Sequence, residues 1–155
     1  MKNNFLYIYN NFILLTTNKR LYKHLTSQDT FSDRLIFFLI HFAFFLKNYK
    51  KPENKELLQK IYDFNFRQLE LSIREIGYGD QTINKRMKDY INLFHSIILD
   101  INNWNNLNYL KKNQIISKII NHKLNDHFLV NYFDNYIENL SKKSLNLFIK
   151  SVSNT

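Results

Sequence analysis

The residues best suited to proton transfer or metal ligation are five histidines, His24, His41, His95, His122 and His127. None stands in an HExxH pattern, and no carboxylates cluster around them at ligand spacing. His122 and His127 lie five positions apart, which places them on different helical faces. His41 sits inside the run Leu35–Leu46 (LIFFLIHFAFFL), so a buried, hydrogen-bonded core imidazole is expected there. Cysteine is absent, which excludes disulfides and thiolate metal sites. No GxSxG or phosphate-binding loop occurs, and Gly77-Tyr78-Gly79 is too short for a dinucleotide loop. The expectation is a protein that is not an enzyme, with no catalytic residue, no metal and no cofactor.

The remaining polar pattern suits binding. Asp63, Arg67, Glu70 and Arg74 alternate in sign along one helical face, each neighbouring pair at ion-pairing distance. Past the two glycines come Lys85, Arg86 and Lys88. The candidate partner-binding residues are therefore Glu70, Arg74, Glu75, Asp80, Lys85, Arg86 and Lys88, around a structural turn at Gly77 and Gly79. An intramolecular alternative stays open: Arg74 or Glu75 can simply tie the turn to the next helix. A helix-turn-helix reader of DNA would also use basic residues after such a turn, but residues 51–110 carry eight basic and eight acidic side chains. Sequence-specific DNA is not an expected partner.

Long helices must position these groups. With only two glycines and one proline, the chain lacks the turn residues that an all-β fold requires every few positions. Leu6, Tyr9 and Ile13 recur at helical spacing over 4–16, and a short helix is expected over 18–25. Asp29 or Thr30 can cap a central apolar helix over 31–48. Pro52 suits the first turn of a helix reaching Ile76, with Leu58, Tyr62, Phe66, Leu69, Ile73 and Ile76 on its inner face. Gly77 ends it, and Asp80 is expected to cap the next, over 81–101. After an Asn-rich loop holding Trp104, apolar periodicity returns at Ile115–Ile120 and Phe128–Ile137, and a last short helix ends near Ile149. The fold expected is all-α: one domain over 1–155, its core at about 20–150, an irregular bundle of about six to eight helices.

Net charge is +9, and the excess sits at the ends, with seven basic and two acidic residues in 1–50 and seven basic and three acidic in 111–155. Such a balance admits a basic helical adaptor for ribosomal RNA or an anionic membrane surface. Phe5–Leu15 is interrupted by Asn10 and Asn11 and lacks a small-residue cleavage site, so a signal peptide is not expected. The Leu35–Leu46 run has 12 residues, too few to span a bilayer.

The stretch Arg74-Glu75-Ile76-Gly77-Tyr78-Gly79-Asp80, followed by Lys85-Arg86-Met87-Lys88, resembles the ubiquinol–cytochrome c chaperone family signature "LREMGVGD…KRMK". Asp29-Thr30-Phe31 with Arg34 resembles the family's "DTF…R", Ile40-His41 stands at its leucine–histidine pair, and Leu69-Glu70 replaces its "MD". The likeness covers roughly 20–100 and departs at Phe94-His95-Ser96-Ile97, where the family carries an "FYGR"-like stretch. The resemblance implies a cofactor-free chaperone that binds newly made cytochrome b and supports assembly of the bc1 complex. It also implies a small helical assembly partner and contact with the ribosome or inner membrane. The location implied is the cytoplasmic face of a bacterial inner membrane, or the mitochondrial matrix and inner membrane.

Overall fold

The computed structural model describes residues 2–23, 25 and 30–153. His24 and Asp29, singled out above, lie outside the described residues. Among those described, the chain forms seven α-helices and no strand: α1 (Lys2–Thr16), α2 (Phe31–Tyr49), α3 (Lys55–Glu75), α4 (Asp80–Asp100), α5 (Tyr109–Ile120), α6 (Phe128–Ser141) and α7 (Leu145–Ser153). The expected helix over 18–25 is a single 3-10 turn, Lys19–Tyr22. Pro52 opens another 3-10 turn, Pro52–Asn54, that runs directly into α3.

α2 is apolar nearly all round and lies at the centre, touching α1, α4, α5 and α6. From Phe37 to Phe45 every residue is buried. The packing is aromatic. Phe12 of α1 meets Phe38, Phe42 and Phe45 at ring separations of 5.3–5.5 Å, and Phe42 stacks on Phe94 of α4 at 4.9 Å. On the other side Phe44 meets Trp104 at 5.1 Å and Phe133 of α6 at 5.5 Å. Such pairs add about 0.5–1.5 kcal/mol each beyond area burial. His41 fulfils its expected role: its Nδ1 is 2.6 Å from the Phe37 carbonyl and its Nε2 2.7 Å from the Tyr132 hydroxyl.

Short polar residues stop and start the helices. Thr30 Oγ1 accepts from the Asp33 amide at 3.2 Å and caps α2. Asn108 Oδ1 accepts from the Lys111 amide at 2.9 Å and caps α5, and Asn121, at φ +53°, ends α5 in the left-handed conformation.

Three expectations need correction. On α1 the buried row is Phe5, Ile8, Tyr9, Phe12 and Thr16, whereas Leu6 and Ile13 are exposed. The helix is apolar on several sides, so spacing alone does not select the face, and the aromatic rings took it. Asp80 is the first residue of α4 and not its cap; the capping position is Gly79, with no side-chain bond. Ile76 lies beyond the last turn of α3 and is 49 % exposed.

The two glycines do different work. Gly77 has φ +101°, open to glycine but strained for any residue with a Cβ. Gly79 has φ −72°, and a Cβ there meets nothing within 4 Å. Gly77→Val should therefore cost about 2 kcal/mol. Gly79→Ser should gain a few tenths of a kcal/mol by supplying a capping hydroxyl. Urea titration of the two variants checks both; equal losses at the two positions would contradict this division of roles.

Candidate partner-binding site

α3 and α4 form a hairpin whose inner faces enter the core through Leu69, Ile73, Ile83 and Phe94. This fixes the side chains around the bend. The amide of Gly77 donates to the Arg74 carbonyl at 3.0 Å, and the amide of Ile83 donates to the Gly79 carbonyl at 3.0 Å. One helix thus ends and the next begins within four residues.

Arg74 reaches across the bend. Its Nη1 donates to Asp80 Oδ1 at 2.7 Å, and its Nη2 approaches Glu70 Oε1 at 3.4 Å. These two carboxylates raise the guanidinium pKa further above its ordinary value, the Asp80 hydrogen bond contributing most. Asp80, although not the cap, places its charge in the first turn of α4, where the macrodipole favours an anion. One turn further on, the Arg86 guanidinium lies over the Tyr78 ring, 4.3 Å from its centre. Two contacts thus span the turn, the Arg74–Asp80 salt bridge and the Arg86–Tyr78 cation–π contact.

The candidate residues therefore divide. Glu70, Arg74 and Asp80 form one intramolecular network, and Arg86 braces the turn. Lys85, Lys88 and Glu75 are exposed and form no ion pair with another described residue. The charge of Glu75 is felt by Tyr9 of α1, whose hydroxyl pKa is raised, chiefly by burial. The expected ladder is only partly closed. Glu70–Arg74 forms, but Asp63 accepts instead from Gln59 Nε2 at 3.0 Å. Lys85 and Arg86, together with Gln81, Thr82, Asp89 and Tyr90, line an open depression along α4. Their positions recur every four residues, so this is one continuous solvent face.

Two apolar residues at the tip were missed from sequence. Ile76 is 49 % and Tyr78 38 % exposed, and both sit beside the charged pairs just described. Their signal was position: each flanks Gly77, beyond the helix that would have buried it.

The family model for the ubiquinol–cytochrome C chaperone matches residues 23–103, more than half of the chain. The chain belongs to the ubiquinol–cytochrome C chaperone family. No curated protein and no solved structure matches it. The matched span takes in α2, α3, the bend and α4. Family membership supports a chaperone role in the bc1 system and implies a client protein. It also gives the family motif a physical reading here. The first and last residues of Arg74–Asp80 are the two that clasp each other. Of Lys85–Lys88, Arg86 braces Tyr78, Met87 packs on the core, and the two lysines face solvent. The clasp accounts for Arg74, Asp80 and Arg86 without a partner. Lys85 and Lys88 have no such internal account.

Proposed function

We propose that this chaperone binds newly made cytochrome b at the α3–α4 bend and supports assembly of the bc1 complex, residues 1–155 acting as one domain. The observation that carries the reading is the makeup of the bend. A clasped turn projects two apolar side chains, Ile76 and Tyr78, beside two lysines, Lys85 and Lys88, that form no ion pair with another described residue. A chaperone for a membrane subunit needs such a surface, apolar for client helices and charged at its rim for connecting segments. The site of action proposed is the cytoplasmic face of a bacterial inner membrane, or the mitochondrial matrix side. A small helical assembly partner and a ribosomal contact would engage other faces.

Charge reversal tests the reading. Lys85→Glu combined with Lys88→Glu alters exposed side chains only, so the helical circular dichroism should not change. The amount of cytochrome b recovered with the tagged chain should fall at least about fivefold, as expected for rim charges that steer and hold a partner. Undiminished recovery would remove the bend from the client site.

A further inference from the structure

We propose that the cleft between α6 and the exit of α1 holds an extended stretch of polypeptide by its backbone, with an acidic residue of that stretch at Arg20. The cleft has a volume of about 430 Å³. On α6 it is lined by an asparagine row, Asn131, Asn135 and Asn139, with Tyr132 and Tyr136 beside the row. Leu15, Asn18 and Arg20 line it from the end of α1 and the 3-10 turn. The three asparagines of the row are exposed, and their side-chain amides form no hydrogen bond with another described residue. The two tyrosines are anchored from beneath: the Tyr132 hydroxyl is 2.7 Å from His41 Nε2, and the Tyr136 hydroxyl donates to the His41 carbonyl at 3.4 Å.

The spacing of the row selects an extended chain. Residues four positions apart on a helix stand about 6 Å apart along its axis. In an extended chain every second residue turns its N–H and C=O to the same edge, at intervals of about 6.5 Å. A carboxamide has both an acceptor and donors, so each asparagine can accept from the N–H and donate to the C=O of one such residue. Over the whole row the two spacings diverge by about 1 Å, which the asparagine torsions absorb. A helical occupant fits poorly. Its backbone groups are already paired, so it would cover the amides and leave them unsatisfied. Side chains on one face of the extended stretch rest on Tyr132 and Tyr136, which favours apolar ones.

Charge fixes the chemistry at one end. Among the described residues lining the cleft there is no carboxylate, and Arg20 is the one cation. Its guanidinium lies over Phe128, 4.6 Å from the ring centre and one turn before Asn131, and forms no ion pair with another described residue. A lone cation at the end of a neutral row matches one acidic side chain. RNA would need cations along the whole row to meet its phosphates. α6 lies outside the matched span 23–103, and the proposal does not depend on what binds at the α3–α4 bend.

The test is fluorescence anisotropy of the full chain with a labelled peptide of alternating valine and threonine, blocked at both termini and bearing aspartate at each end. Saturable binding is expected. Methylating the backbone nitrogens of the valines and threonines removes N–H donors and leaves every side chain in place, and should weaken binding at least about tenfold. Asn135→Ala, at an exposed position, should keep the helical circular dichroism and weaken binding about tenfold. Arg20→Gln should weaken binding of the aspartate peptide about fivefold and leave that of its asparagine counterpart unchanged. Absence of saturable binding would overturn the proposal. So would equal affinity for the methylated peptide, which would mean adsorption through side chains alone. Unchanged affinity in Asn135→Ala, or an Arg20→Gln effect that is the same for both peptides, would overturn it as well.

Discussion

Phe42→Ala should lower the stability of the bundle by about 3–5 kcal/mol, the range for emptying a buried aromatic site. Phe42 is fully buried, and its ring lies within 6.5 Å of the rings of Phe12, Phe38, Tyr62, Phe66 and Phe94. It is thus the point at which α1, α2, α3 and α4 meet. Truncation removes the transfer free energy of the ring and leaves a hole that four helices cannot close together. For a chain of this size the midpoint of thermal unfolding should drop by roughly 10 °C. Thermal circular dichroism measures it. A loss below about 1 kcal/mol would show that the aromatic cluster is not the centre of the core.

Acidification should produce the second large effect, through His41. Burial lowers its pKa from 6.5 to about 4, with the Phe37 carbonyl opposing the shift. The rings of Tyr132, Phe133 and Tyr136 enclose the imidazole at 4.9–5.4 Å, and the two tyrosine hydroxyls offer no negative charge near neutral pH. Burial raises the Tyr132 pKa to about 12 and that of Tyr136 well above its ordinary value. The folded state therefore resists protonating His41, while the unfolded chain accepts the proton near 6.5. The stability this group contributes is complete above pH 6.5. It declines as the pH falls from 6.5 to about 4 and levels off below that. The decline amounts to about 3 kcal/mol. Urea midpoints across this range should show it, and His41→Gln should flatten the slope. A wild-type profile that stays level between those two pH values would contradict a neutral, buried His41.

Different parts of the molecule were legible to different degrees. α2 was plain because a run apolar on every side can only be central. The bend was plain because Gly77 is one of two glycines and stands where helical periodicity stops. The clasp was half legible. Spacing brings Arg74 near Glu70 on one helix, but its stronger partner, Asp80, lies across a turn whose geometry the sequence does not specify. Aspartate is a favoured capping residue, so Asp80 read as the cap, whereas the extended backbone of Gly79 holds that position. The ladder from Asp63 to Arg74 showed pairs that could form; of these Glu70–Arg74 forms, while Asp63 accepts from Gln59. The outer arc of α1 was hidden for the opposite reason to α2. Its helix is apolar on two sides, and only the packed structure shows that Phe5, Ile8 and Phe12 are inside while Leu6, Ile13 and Leu14 are not.

Family membership establishes the chaperone role, and the identity of the client is the central proposal. It is tested most directly by purifying the tagged full-length chain from native membranes in cells where assembly of the bc1 complex is incomplete. The account predicts that cytochrome b not yet joined to its partner subunits comes with the chain, and that the amount falls when Lys85 and Lys88 are reversed in charge. Recovery of other bc1 subunits without cytochrome b, or of ribosomal RNA alone, would contradict it.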